Sequence, residues 1–220
     1  MRTLLLALLL SMAPALQAST FDHQHQAWTT LLHRHVSWVD NGHASVVDYE
    51  ALRKDSSELD SYLDTLSGVS QAEYQRWNRA QRLAFLINAY NAFTVKLVVE
   101  HYPVDSIKSI GSLFTSPWER KFIPILGQTL SLDEIEHGLI REPGVFDEPR
   151  IHFAVNCASI GCPALRDEAF TADLLEKQLE DSQTRFLSDA SRNRFNSSKG
   201  HFEVSKIFDW YGADFEDQWG

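Results

Sequence analysis

The segment from Leu83 to Val99 is apolar on nearly every face of a helix. Asn78 precedes it as an N-cap residue and Tyr102-Pro103 follows it, so the pattern predicts one long helix from Asn78 to about His101. A helix that is hydrophobic all round is buried on most of its faces. We therefore expect this helix to form the centre of the domain.

Shorter amphipathic patterns surround the central segment. Apolar positions recur every three or four residues in these patterns, which predicts helices that bury one face against the rest of the domain. The predicted helices are Phe21–Asp40, Ser57–Leu66, a short helix opened by Ser70, Ser131–Arg141 and Thr171–Leu187. Ser70 and Ser131 each begin a Ser-x-x-Glu capping box, which is a typical helix start.

Strand patterns are few and short. Lys121–Leu130 contains a central Gly-Gln pair and predicts a hairpin, in which Pro124 places the first strand at a sheet edge. Arg150–Asn156 and His201–Ser205 alternate between apolar and polar residues and predict two more strands. The predicted fold class is α+β: a single helix-rich domain with a central buried helix packed against a small, mostly antiparallel sheet.

The N-terminal residues 1–18 have the pattern of a signal peptide. Arg2 precedes the apolar run Leu4–Leu10, and Ala13–Ala18 supplies small residues for cleavage. We expect residues 19–220 to form one domain in the periplasm or outside the cell, with no transmembrane segment left after cleavage. Such a compartment permits disulfides.

Composition narrows the classes of partner. The 220 residues are 44% hydrophobic and 23% charged, which is ordinary for a globular domain. The net charge is −10, opposite in sign to what phosphate backbones attract, so no nucleic-acid partner is expected. We expect an unidentified small-molecule, peptide or cell-envelope ligand, and no cofactor and no metal.

Two asparagines interrupt the apolar central segment. Asn88 and Asn91 lie three residues apart, on one face of the predicted helix. A buried amide without partners costs about 1–3 kcal/mol, so each should bond something specific. One interpretation is that they clamp the backbone of a neighbouring loop. The other is that one of them orients a catalytic histidine.

The two cysteines allow three interpretations. Cys157 and Cys162 can form a disulfide that pins a short loop. Alternatively, Cys157 is a thiolate nucleophile, with the backbone amides after it as an oxyanion hole. The third interpretation is a zinc site that adds His137 and His152; it ranks last because the Cys-x4-Cys spacing is loose.

The proton acceptor for a nucleophilic Cys157 has to come from another element. Alternation along Arg150–Asn156 would point His152 and Cys157 to opposite faces of the strand. His137, late in the predicted Ser131–Arg141 helix, is the remote candidate, because an imidazole titrates near neutral pH. The alternative for His137 is a histidine that stabilises the C-terminal end of a helix.

Four sequence blocks together resemble the domain of unknown function 547 family. The blocks are Ile87–Thr94, Ile135–Gly138, His152–Pro163 and Val204–Tyr211. The resemblance spans residues 46–215 and implies that certain residues belong to shared blocks, namely Asn88, Asn91, His137, Cys157 and Asp209. The family's name carries no activity, so the resemblance implies membership and no reaction.

The favoured functional prediction is a periplasmic Cys/His-dependent hydrolase or acyl transferase. Cys157 would attack an acyl carbon, His137 would take and return the proton, and Asn88 or Asn91 would orient His137. The alternative is a non-catalytic binding or assembly protein, in which a Cys157–Cys162 disulfide fixes a recognition loop. The residues expected to contribute to binding are His152, Asn156, Cys162, Asp209 and Trp210.

Overall fold

The structure is a computed structural model that describes residues 21–112, 115–159 and 161–219. This part of the chain contains nine α-helices and three hairpins. The helices are α1 (Gln26–His35), α2 (Tyr49–Lys54), α3 (Ser56–Ser67), α4 (Gln71–Tyr74), α5 (Arg79–His101), α6 (Leu132–Ile135), α7 (Leu175–Ser188), α8 (Ile207–Trp210) and α9 (Gly212–Trp219). The strands are β1 (Val36–Val39), β2 (Ala44–Val47), β3 (Ile123–Ile125), β4 (Gln128–Leu130), β5 (Arg194–Asn196) and β6 (His201–Glu203). The predicted signal peptide lies outside the described residues.

The predicted α+β class and the central buried helix are both confirmed. Each strand pairs antiparallel with its neighbour in sequence, so the strand structure consists of three separate two-stranded hairpins. Helices α2, α3 and α6 pack against α5, and side chains on every face of α5 are buried. The helical domain is therefore built around α5.

Local sequence signals fix the ends of α5. Asn78 accepts a hydrogen bond from the backbone N–H of Gln81, whose side chain bonds back to Asn78, and this capping box starts the helix where predicted. Among the described helices, α5 alone is long and apolar enough to cross a membrane. However, 89% of its most apolar window is buried inside the protein, as in a core helix.

The first predicted helix is too long. Helix α1 ends at His35, and the residues predicted to continue it form β1, which pairs with β2. Asn41 and Gly42 adopt left-handed backbone angles, with φ of 56° and 85°, between the two strands. The turn residues that were expected only to stop a helix therefore reverse the chain into a hairpin.

The predicted strand Arg150–Asn156 is wrong. Residues Pro149–Phe153 form a 3-10 helix, with Pro149 in its first turn and the Glu148 carboxylate accepting from the Arg150 N–H. Residues 151–155 are all buried, so the alternation of residue types did not reflect two faces of a strand. His152 and Cys157 therefore do not lie on opposite faces of a strand.

Burial of α5 makes a direct stability prediction. Leu86 is 0% exposed, so Leu86→Ala should lower the free energy of unfolding by about 2–5 kcal/mol through lost burial and the cavity left behind. Urea denaturation of the oxidised protein measures this loss. Leu187→Ala is the matched control, since Leu187 is 41% exposed and should change stability little. Equal losses in the two variants would contradict a core centred on α5.

Candidate functional site

A cleft of about 330 Å³ lies beside the two cysteines. It combines aromatic rings, carboxylates and the loop that carries Cys157. The described lining residues are Tyr90, Lys108, Trp118, Asp133, Glu136, Cys157, Ser159, Gly161, Cys162, Trp210 and Tyr211. The cleft therefore gathers side chains from α5, α6, α8 and the cysteine loop.

The most deeply buried acid of the cleft is Glu136. It begins a π-helical turn (Glu136–Ile140) that continues α6, and it is only 5% exposed. The Tyr211 hydroxyl donates to Glu136 Oε1 at 2.9 Å, and Tyr90 also hydrogen-bonds this carboxylate. Burial raises the pKa of both tyrosines, and the charge of Glu136 raises each pKa further. Both hydroxyls therefore keep their protons and serve as donors.

A second carboxylate, Asp133, lies one helical turn before Glu136. Burial raises its pKa, and the nearby carboxylate of Glu119 raises it further, while His137 lowers it. Among the ion pairs of the described residues, none includes Asp133 or Glu136. The cleft thus presents two acids without a basic partner at salt-bridge distance.

The two asparagines of α5 hold backbone segments. Asn88 Nδ2 donates to the Phe170 carbonyl at 2.7 Å, and its Oδ1 accepts from the Phe170 N–H at 3.0 Å. Asn91 does the same across two residues, donating to the Ala154 carbonyl at 3.0 Å and accepting from the Asn156 N–H at 2.8 Å. This is the loop-clamping arrangement, and neither amide has a hydrogen bond to His137 in the described residues.

Cys157 and Cys162 are joined in a disulfide, with their Cα atoms 6.0 Å apart. Asn156 braces the loop, because its Nδ2 donates to the Pro163 carbonyl at 2.7 Å and its Oδ1 accepts from the Ala158 N–H at 2.9 Å. Disulfides of this kind are typical of oxidising compartments. In this state neither sulfur is a thiolate, which is the form that attacks carbon or binds metal.

The two histidines of the predicted site contact Arg141 and Asp214 and, among the described residues, have no hydrogen bond to a cysteine. Exposed His137 accepts a hydrogen bond at Nδ1 from Arg141 at 2.5 Å. Arg141 also donates two hydrogen bonds to Asp214, at 2.6 and 2.8 Å. His152 Nε2 lies 2.8 Å from Asp214 Oδ2, and its ring stacks on Tyr211 at 3.9 Å. Arg141 and Asp214 therefore connect the two imidazoles.

Burial holds His152 in its neutral form. Desolvation lowers its pKa to about 4, although Asp214 acts in the opposite direction. The Nδ1 atom is buried without a hydrogen-bond partner among the described residues, so a second proton there would find no acceptor. The Asp214 carboxylate stays charged, since the hydrogen bonds from Arg141 lower its pKa to about 2.

The remaining predicted residues divide between the cleft and the surface. Trp210 is 66% exposed and lines the cleft with Cys157 and Cys162. Asp209 is exposed, pairs with Lys206 and is not part of the described lining. His137 and His152 also lie outside that lining, next to Tyr211.

Sequence reasoning missed Glu136 and Tyr90, which line the cleft, and Asp214, which binds Arg141 and His152 outside the described lining. Glu136 and Tyr90 carried a weak signal, since they stand on predicted helices next to His137 and Asn91. Asp214 carried none, because α9 was not predicted and its partner Arg141 lies 73 residues away in sequence.

Comparison with protein-family models shows which family the chain belongs to. The model described as "Protein of unknown function, DUF547" matches residues 74–187, which is more than half of the sequence. The chain belongs to the DUF547 family. Three of the four resembling blocks lie inside the match, and the block Val204–Tyr211 lies beyond it. No curated protein and no solved structure matches this DUF547 chain.

The cleft extends past the DUF547 match. Its carboxylates, its disulfide and Trp118 all lie within residues 74–187, whereas Trp210 and Tyr211 follow the matched range. The C-terminal helices thus complete a site whose base belongs to the DUF547 region. Among the described residues, no group of three or more His, Cys, Asp or Glu side chains is placed to hold a metal ion.

The buried neutral His152 predicts a pH-dependent stability for this DUF547 protein. Between about pH 6.5 and pH 4 the unfolded chain binds a proton at this histidine and the folded protein does not, so the free energy of unfolding falls as the pH is lowered. The loss reaches about 3 kcal/mol at pH 4. His25, whose pKa burial also lowers to about 4, adds a similar loss.

His152→Gln should therefore remove about half of this pH dependence, as measured by urea denaturation between pH 7 and pH 4. His201→Gln, which removes an exposed imidazole, should leave the pH dependence intact. A His152→Gln variant with the full wild-type dependence would show that His152 is protonated in the folded protein.

Proposed function

We propose that this DUF547 protein is a periplasmic or secreted binding protein that holds a small ligand in the cleft beside the disulfide. The observation that carries the proposal is the Cys157–Cys162 bond itself, which forms one wall of the cleft. A disulfide shapes a wall and fixes a loop, but its sulfurs do not attack as thiolates. Recognition therefore explains the arrangement with fewer assumptions than covalent catalysis.

Support for a binding role comes from how firmly the loop is held. Asn91 fixes the backbone before Cys157, and Asn156 ties the two ends of the loop together. A preformed wall loses little conformational freedom when a ligand binds, which favours affinity. The cleft volume of about 330 Å³ is within the range of small-molecule sites.

The compartment is part of the proposal. Stable disulfides persist in the periplasm and outside the cell, and they are rare in the cytosol. The Cys157–Cys162 bond and the signal-peptide pattern of residues 1–18 point to the same location. A cell-envelope molecule of low molecular weight is therefore the class of ligand that this protein would meet.

The hydrolase or acyl transferase prediction requires a different state of the same residues. Cys157 would have to be reduced, and His137 would have to act as its base. In the oxidised protein His137 Nδ1 accepts a hydrogen bond from Arg141. The side-chain amides of both asparagines are hydrogen-bonded to backbone groups. Thiol chemistry therefore remains the competing proposal for a reduced form.

The state of the cysteines separates the two proposals. We expect the exported protein, without added reductant, to show no alkylation by iodoacetamide at pH 6 and to gain about 2 Da in intact mass on reduction. Cys162→Ser provides the reference, since it leaves Cys157, the more exposed of the two cysteines, as a single thiol that can be alkylated. A wild-type protein that is isolated reduced and reacts at Cys157 at pH 6 would favour the hydrolase.

Occupation of the cleft tests the binding role directly. Native mass spectrometry of the exported protein, after incubation with a small-molecule extract of the cell envelope, should detect a retained ligand. Gly161→Trp should abolish retention, because Gly161 lines the cleft and has open space around it. Gly138→Trp is the matched control, since this exposed glycine also has open space and lies outside the described lining.

Equal retention by the wild type and Gly161→Trp would place the ligand elsewhere on the protein. Absence of any retained small molecule from the wild type, in a preparation that is folded and oxidised, would contradict the binding role.

A further inference from the structure

Among the described lining residues of the cleft, carboxylates outnumber basic side chains. Glu136 is 5% exposed, and its two hydrogen-bond donors are the neutral hydroxyls of Tyr90 and Tyr211. Those donors are uncharged, so they leave the negative charge of the carboxylate in place. Buried acids in proteins are normally paired with a cation, because desolvating a lone charge is costly. Among the described residues Glu136 has no basic partner at salt-bridge distance, although the pKa of Arg141, which is raised by its hydrogen bonds to Asp214, is raised further by the charge of Glu136.

Asp133 adds to this imbalance. It faces the same cleft, it is half-buried, and burial raises its pKa. Arg141 is the nearest strong base in sequence and interacts with the charge of Glu136, but its hydrogen bonds go to Asp214 and His137 and not to either acid of the cleft. Lys108 is the one basic residue of the described lining, and its side chain is exposed. The interior of the cleft is thus acidic.

The walls of the cleft suit a cation with hydrocarbon substituents. Trp118 and Trp210 line the same space as the two carboxylates. Indole faces attract cations through the ring quadrupole more strongly than other aromatic side chains do, and they also cover the methyl or methylene groups around the charge. The same protein already uses this contact internally, where Arg141 lies 4.7 Å from the centroid of the Tyr211 ring.

We infer that the cleft binds a small organic cation, with an alkylammonium group placed between the indoles of Trp118 and Trp210 and the carboxylates of Asp133 and Glu136. This inference rests on the proposed binding function and names the chemistry of its ligand. The positive charge supplies a partner at salt-bridge distance, which neither acid has among the described residues. The alkyl groups cover the indole faces, and the volume of about 330 Å³ limits the ligand to a small one.

Calorimetric titration with choline tests the inference, because a neutral molecule of the same shape exists. In 3,3-dimethylbutan-1-ol a carbon atom replaces the ammonium nitrogen of choline, so the two probes differ in charge and hardly in size. The exported, oxidised wild type should bind choline at least about tenfold more tightly than the neutral probe. Equal affinities for the two probes would overturn the inference.

Charge-removing variants locate the cation. Asp133→Asn and Glu136→Gln should each weaken choline binding by about tenfold or more, whereas binding of the neutral probe should not change. Glu142→Gln is the matched control, because it removes an exposed carboxylate two residues beyond the same helical segment and outside the described lining. A loss in Glu142→Gln as large as in Asp133→Asn would mean that net charge alone attracts the cation.

The outcomes also separate this inference from the proposed function. If choline does not bind but the wild type retains a neutral or anionic envelope molecule that Gly161→Trp excludes, the binding function stands and the cation inference is wrong. If choline binds equally well to the wild type and to Gly161→Trp, the cation site lies outside the cleft and the inference is overturned. Loss of choline binding in Gly161→Trp, with wild-type affinity in Gly138→Trp, supports both.

Discussion

The burial of α5 dictates how the segments around it are arranged. A helix surrounded by apolar neighbours cannot leave the amides of Asn88 and Asn91 unpaired, since each unpaired group would cost about 1–3 kcal/mol. Both side chains hydrogen-bond backbone groups outside the strands: Asn88 bonds Phe170, and Asn91 bonds Ala154 and Asn156. The core helix therefore determines where two irregular segments of the chain run.

The position of the disulfide follows from this constraint. Because Asn91 holds the N–H of Asn156, Cys157 begins at a fixed point against the core, and the Asn156 side chain then closes the loop onto Pro163. Tyr90, the neighbour of Asn91 on α5, hydrogen-bonds Glu136. One turn of the central helix thus positions both the cysteine wall and the acidic interior of the cleft. The C-terminal helices add Trp210 and Tyr211 from outside the DUF547 match.

Local signals in the sequence were sufficient for the parts of the fold that are determined locally. The Asn78 cap of α5, the capping box at Ser131 and the hairpin Ile123–Leu130 were all predicted, because each depends on residues within a few positions of one another. The segment after Pro149 was not predicted: its residues alternate like a strand, yet burial on every side lets a 3-10 helix form. Periodicity predicts a strand only when one face of it is exposed.

The site was predicted only in part, because residue type and local spacing identify single residues but not the contacts between distant ones. The cysteines and both asparagines were identified from residue type and spacing, Trp210 was among the residues expected to contribute to binding, and the disulfide was among the interpretations. What the sequence could not supply were the partners of the titratable groups. His137 was assigned to Cys157, whereas Arg141 and Asp214 occupy the positions around both imidazoles, and Asp214 comes from a helix near the C-terminus. Such pairings depend on tertiary packing and leave no local pattern.

A crystal structure of the oxidised protein grown with choline would show directly whether the cleft holds an organic cation. If the cleft binds organic cations, electron density for choline will lie in it, with the nitrogen within about 6 Å of the ring centroid of Trp118 or Trp210 and facing Asp133 and Glu136, beside an intact Cys157–Cys162 bond. Choline bound elsewhere, or an empty cleft beside a reduced Cys157 at hydrogen-bond distance from an imidazole, would contradict organic-cation binding in the cleft.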